Sequence, residues 1–198
     1  MNVFNNVHNR MSIKKIIKNS IKNIYWKYRG LKIEQTFYPR KSSSYLFVCK
    51  GNICRSPFAE YRARKYLHDY SISNVLCNSC GMEVTELQSP PKEAIEAARY
   101  YGVNIENHKS KQIDRRNIEL HEMIIVMDVS QYDQLKHQYP IFREKIFLMS
   151  LFEKNAYSKY SPYILYNIED PYSKTVEIFN ACYQRIERCM QGMFEDYK

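Results

Sequence analysis

Tyr45-Leu46-Phe47-Val48-Cys49-Lys50-Gly51-Asn52-Ile53-Cys54-Arg55-Ser56-Pro57 reads as a short apolar strand, a tight Gly-Asn turn and the opening of a helix. A cysteine and an arginine six positions apart across such a turn make an anion trap with a nucleophile at its base. The backbone N–H groups of the turn form a concave nest, and the helix N-terminus adds its partial positive charge. The same field favours the thiolate of Cys49. Arg55 can grip two oxygens of a phosphate with its planar fork, which a lysine cannot do. Ser56 is placed to hydrogen-bond the sulfur and ease its departure. Asn52 suits a left-handed turn position, and its amide can tie the loop together. The loop residues Lys50, Gly51, Asn52, Ile53, Cys54 and Ser56 are therefore expected to bind substrate around Cys49 and Arg55.

Working outward, strand-like and helix-like stretches alternate. Strands are expected at Tyr45–Cys49, Val75–Ser79, Met123–Met127 and Lys145–Met149. Helices are expected at Ser56–Leu67, Pro91–Tyr101, Ser130–His137 and Thr175–Phe194. The last carries Val176, Phe179, Cys182, Tyr183, Ile186 and Met190 at the three-and-four spacing of a helix packed on a core. This alternation predicts a three-layer α/β fold: an open, parallel, four-stranded sheet with helices on both faces. Sites in such folds form beyond the carboxyl ends of strands, and Cys49 stands at one.

Further motifs follow in order. They are Ser79-Cys80-Gly81, a helix running from Ala94-Ile95-Glu96-Ala97-Ala98 to Tyr101-Gly102-Val103, His108-Lys109-Ser110-Lys111-Gln112, Ile124-Ile125-Val126-Met127-Asp128 and Glu169-Asp170-Pro171-Tyr172. Together with Cys49–Pro57 they resemble the low-molecular-weight protein tyrosine phosphatases over residues 44–198. The resemblance implies a flavodoxin-like, Rossmann-like sheet, no cofactor and no metal. It also implies hydrolysis of a phosphotyrosine monoester through a cysteinyl-phosphate. Cys49 is then the nucleophile, Arg55 the phosphate clamp and Asp170 the general acid, with Tyr172 beside the substrate and His108 hydrogen-bonding the loop asparagine. Two departures bear on substrate preference. Ser173 stands where a second tyrosine often follows, and the loop Met82–Ser89 lacks an aromatic residue. Bacterial members often act on tyrosine autokinases, so the implied partner is a phosphotyrosyl protein, a membrane-seated kinase being one such substrate.

Two other readings compete. An arsenate reductase shares the fold and a similar loop, but it needs further relay cysteines, and none lies between Cys80 and Cys182. A phosphotyrosine-binding module without turnover would lack the nucleophile or the acid, and Cys49, Arg55 and Asp170 are all present.

The chain has 198 residues and a formal charge of +9, which invites a nucleic-acid reading. The distribution argues against it. Of 30 Lys/Arg and 21 Asp/Glu, ten and one fall in residues 1–43, leaving 20 of each in 44–198. The chain thus divides into a basic extension, 1–43, and a neutral catalytic body, 44–198. In the extension Ile13, Ile16, Ile17, Ile21, Ile24, Tyr25 and Tyr28 recur at helical spacing, with Lys14, Lys15, Lys18, Lys22 and Lys27 on the other sides. Gly30 reads as its stop and Arg40–Ser44 as a polar linker. Such a helix can lie on an anionic membrane surface, enter an acidic groove of a partner, or pack on its own body.

Six cysteines, one of them the nucleophile that must be reduced to act, fit a reducing, cytoplasmic compartment better than a disulfide framework. The extension lacks the continuous apolar segment of a secretory signal. Cys77 and Cys80 have half the spacing of a zinc site, but no suitable second pair follows, so they read as core, as do Cys182 and Cys189. Cys54 is either a redox partner able to trap oxidised Cys49 or a small loop residue.

Overall fold

Strand β1, Ser44–Cys49, is buried along its whole length, because its alternate side chains enter two separate cores. The computed structural model describes residues 13, 17, 20, 21, 24, 25, 28, 29, 41–154 and 163–197. After β1 come α1 (Arg55–Asp69), β2 (Leu76–Gly81), α2 (Lys92–Tyr100), α3 (Arg115–Leu120), β3 (Met123–Val126), α4 (Val129–Gln138), β4 (Ile146–Leu148) and α5 (Val176–Met193). The strands pair in parallel in the order β2-β1-β3-β4. Tyr45 and Phe47 face Phe58, Ala59 and Ala63 of α1 and Phe179, Tyr183 and Ile186 of α5. Leu46 and Val48 face Ile118 of α3 and Val129 and Leu135 of α4. This period-two division is what a central strand between two helical layers requires.

Because β1 is followed by a helix on one face and β3 by a helix on the other, their carboxyl ends diverge. The crevice between them lies at the reversal of strand order, where such sheets place ligands. Cys49 closes β1 and Asp128 follows β3 on the two sides of that crevice.

The expected strands and helices all appear, with ends moved by one or two residues. The helix α3 was not foreseen. Its six residues are too few to display a period, although Asp114 and Asn117 form a capping box in which Asp114 Oδ1 accepts from Asn117 N at 2.7 Å. The polar linker reading also needs correction at its end. Ser42 is buried, its N–H donates to Tyr197 Oη at 2.9 Å, and its hydroxyl donates to Glu122 at 2.9 Å. Cys77 and Cys80 sit on β2 but face opposite cores, so they share no site.

In the extension, Ile13, Ile17, Ile21, Ile24, Tyr25, Tyr28 and Arg29 have helical backbone. The four isoleucines are 51–69 % exposed. Arg29 reaches Asp133 on α4, with Nη1 donating to Oδ2 at 2.7 Å. Ile16, the lysines Lys14, Lys15, Lys18, Lys22 and Lys27, Gly30 and Arg40 lie outside the described residues.

Candidate active site

The turn after β1 folds the chain under the sulfur of Cys49. Asn52 adopts the left-handed conformation at φ 54°, and its N–H points back to Cys49 Sγ at 3.3 Å. The hydroxyl of Ser56, at the start of α1, lies 3.0 Å from the same sulfur. Among the described residues the amides of Gly51, Ile53 and Cys54 have no partner, so they remain available to an anion above the helix N-terminus.

The loop is held from beneath by a buried polar chain. Asn52 Nδ2 donates to Ser56 Oγ at 2.9 Å and to Ser79 Oγ at 2.8 Å. Ser79 donates onward to Glu60 at 2.6 Å, and Arg64 pairs with Glu60 at 2.5 Å. Asn52 Oδ1 accepts the Lys111 N–H at 2.9 Å. His108 Nε2 lies 3.0 Å from Asn52 O and 3.1 Å from Asn52 Oδ1. Both partners are acceptors, so Nε2 carries the proton. Burial pushes the His108 pKa down to about 4, which keeps the ring neutral near pH 7. Gly81 completes the support. A Cβ there would lie 2.8 Å from Lys50 O and 2.9 Å from Asn52 N, so β2 can approach the loop this closely only with glycine. Tyr183 of α5 stacks on Phe58 at 3.9 Å and donates to Cys54 O at 3.2 Å, fixing the loop's other side.

Arg55, 2 % exposed, spans the crevice. Its Nη2 donates to Asp170 Oδ2 at 2.7 Å, and its Nη1 to Ile168 O at 3.0 Å and Asp128 Oδ2 at 3.3 Å. Burial opposes the charge of Arg55, but Cys49, Asp170, Cys182 and Asp128 outweigh it and its pKa rises. Asp128 also accepts from Gln131 and caps α4. The second oxygen of Asp170 accepts the Tyr172 N–H at 3.3 Å.

A cavity of about 270 Å³ opens over this assembly, lined by Cys49, Lys50, Gly51, Ile53, Cys54, Arg55, Glu83, Gln88, Asp170 and Tyr172. The residues read from sequence therefore converge, with three refinements. Asn52 and Ser56 are fully buried and lie outside that lining; their side chains act on the sulfur and the loop rather than on a ligand. Lys50 stands at the rim, 3.3 Å from Glu83. His108 reaches the site only through Asn52. Asp128, Glu60 and Ser79 were not singled out as site residues. Asp128 was visible as the acid closing an apolar strand, but a helix cap explains that position equally well.

A cysteine sulfur under a helix N-terminus, a guanidinium fork and a carboxylate across the crevice form the kind of site that a cysteine-dependent phosphatase needs. The model of the family "Low molecular weight phosphotyrosine protein phosphatase" matches residues 44–198, and the chain belongs to that family; it is a protein tyrosine phosphatase. The pig enzyme of that name is 34 % identical over 159 residues, covering 78 % of this chain and 95 % of its own. Vibrio vulnificus Wzb, solved in complex with benzylphosphonate, superposes with a TM-score of 0.66 at 28 % identity, covering 79 % of this chain and 99 % of its own. The YwlE arginine phosphatase from Geobacillus stearothermophilus has the same fold, with a TM-score of 0.64 at 22 % identity over 77 % of this chain and 91 % of its own. The family membership sets the arsenate reductase reading aside.

Proposed function

We propose that Cys49, Arg55 and Asp170 carry the reaction. Cys49 Sγ attacks phosphorus and forms the S–P bond while the bond to the tyrosyl oxygen breaks, and Asp170 gives its proton to that oxygen. Water then attacks phosphorus, the P–S bond breaks, and Asp170 takes the water's proton. Arg55 and the loop amides hold the equatorial oxygens, and Ser56 stabilises the departing thiolate. The reading rests above all on Arg55, which lines the same cavity as Cys49 and donates to Asp170 at 2.7 Å. Asp170→Asn tests it. Phosphotyrosine, with its poor leaving group, should be turned over ~10²–10⁴-fold more slowly, and an activated nitrophenyl ester only slightly more slowly. Equal losses on both would mean that Asp170 positions its loop and transfers no proton.

Cys54 is proposed as a redox guard. Burial pushes its thiol up, beyond the ordinary range, so it waits protonated. Peroxide converts Cys49 to a sulfenic acid; the Cys54 thiol condenses with it, forming a disulfide and releasing water. Activity lost to mild peroxide should return with added thiol in the parent, and much less so in Cys54→Ser. Matching recovery in both removes the role.

The extension is proposed to hold the enzyme at the cytoplasmic face of an anionic membrane, where a phosphotyrosyl protein such as a kinase would be met. Support comes from the four exposed isoleucines and the ten basic residues. Among the described residues no helix is long and apolar enough to cross a membrane, so the contact would be with the surface. Basic residues there contribute ~1 kcal/mol each and are screened by salt. The full chain should sediment with anionic vesicles at low salt and come off at high salt. A chain beginning at Lys41, which retains Ser42, should stay in solution yet keep its activity. Loss of activity or folding in that chain would make the extension a structural part of the body.

A further inference from the structure

A second cavity, of about 340 Å³, lies alongside the first and shares Lys50, Arg55, Glu83 and Asp170 with it. No step of the proposed reaction uses its remaining wall, which is built from the start of α4 and the segment before Asp170. The two cavities are lobes of one site, because Arg55 lines both. The Nε of that buried side chain has no hydrogen-bond partner among the described residues, so a phosphate seated on it lies at the mouth of each lobe. On the proposed function the tyrosyl ring would occupy the lobe bounded by Ile53 and Tyr172. Residues next to the phosphotyrosine then face the other.

The chemistry of that second lobe is one-sided. Glu83, Asp128, Glu169 and Asp170 line it against Lys50 and Arg55; Glu169 is paired with Lys174 from outside the lining, and a bound phosphate dianion would engage Arg55. Gln131 is occupied, accepting from Met127 N at 3.0 Å and donating to Asp128 at 2.6 Å. Ser130 and Gln134 of α4 are exposed. The Lys50–Glu83 pair, 3.3 Å long with side chains 62 % and 57 % exposed, is open to solvent and easily exchanged. An incoming ammonium or guanidinium can replace Lys50 at Glu83 and find the acceptors of Gln134 and Ser130 nearby. An incoming carboxylate would meet like charge.

We infer that the second lobe is a subsite for a lysine or arginine flanking the phosphotyrosine of the substrate protein, with Glu83 its chief determinant. The inference rests on the tyrosine phosphatase reading and adds a sequence preference to it. The test uses the full chain and three phosphotyrosyl peptides that differ only in carrying Lys, Ala or Glu beside the phosphotyrosine. p-Nitrophenyl phosphate, too small to span both lobes, is the reference. The Lys peptide should exceed the Glu peptide in kcat/KM by about tenfold, the effect of one well-placed charge contact, and by less at high salt. Gln134→Lys places a cation in the lobe and should abolish or reverse that ranking while p-nitrophenyl phosphate turnover stays within about twofold, an exposed surface substitution being tolerated. Glu83→Gln, with each peptide normalised to p-nitrophenyl phosphate, should also flatten the ranking. Equal or Glu-favouring kcat/KM in the parent, or a ranking unmoved by both substitutions, overturns the subsite and leaves the phosphatase reading intact. Absence of turnover of p-nitrophenyl phosphate by the parent overturns both.

Discussion

Replacing Cys49 by serine should abolish turnover, on the order of 10⁶-fold, as removal of an activated nucleophile does elsewhere. The hydroxyl would fit the space of the sulfur, so the loop, its amides and Arg55 stay in place. What is lost is ionisation. A thiol is by nature far more acidic and more nucleophilic than a hydroxyl, and a serine needs a neighbouring base to react. Among the described residues the contacts of the sulfur itself offer none: Ser56 is a hydroxyl, the Asn52 contact is an N–H donor, and His108 points its protonated nitrogen at Asn52. Inorganic phosphate should therefore still bind to the Cys49→Ser protein, detectable by calorimetry, while p-nitrophenyl phosphate is not hydrolysed. Turnover above about 1 % of the parent would be incompatible with a covalent cysteinyl-phosphate, given the size of the expected loss.

Arg55→Lys should lower kcat by on the order of 10³-fold, the lower end of what a transition-state arginine contributes to phosphoryl transfer. The two terminal nitrogens of Arg55 reach Asp170 on one side and Ile168 O and Asp128 on the other. A lysine has one ammonium and cannot hold two phosphate oxygens in a plane. The substitution also leaves Asp128 and Asp170 short of a partner, so thermal unfolding should be measured beside kcat. A folded Arg55→Lys protein with near-parental kcat would mean that the charge, not the fork, is what the reaction uses.

The contrast between legible and hidden parts has a physical basis. Local chemistry marks the ends of elements strongly. The apolar run to Cys49, the Gly-Asn turn and Pro57 place the β1–α1 junction within one residue. Period two in Tyr45–Cys49 and the helical spacing from Val176 to Met190 give the layers. Asp170 was legible because Asp-Pro-Tyr is a short, specific motif in a loop that precedes a helix. The support network was not. Glu60 lies on α1 among Tyr61, Arg62 and Arg64 and reads as a surface acid; its burial follows from Ser79 lying across from it. Asp128 does two jobs with two oxygens. Sequence shows the cap on α4, while the contact with Arg55 depends on a partner 73 positions away. The anchoring of Ser42 likewise depends on Tyr197, at the other end of the chain, and on Glu122, which precedes the neighbouring strand β3 and lies 80 positions away in sequence.

The Arg55–Asp170 contact also bears on how product leaves. Without substrate, the carboxylate occupies the guanidinium that phosphate will need. It is tethered a few residues from its own loop, so its effective concentration at Arg55 is high and does not depend on solution conditions, as for any intramolecular ligand. Substrate must displace it, which weakens the grip on every phosphate equally. On the proposed mechanism Asp170 ends hydrolysis holding the water's proton; once that proton passes to solvent, the carboxylate would compete with free phosphate for the fork and speed its departure. With Arg55 as the clamp, the enzyme would carry its own competitor, trading affinity for shorter product residence. Inorganic phosphate would inhibit it less than the strength of the clamp alone implies.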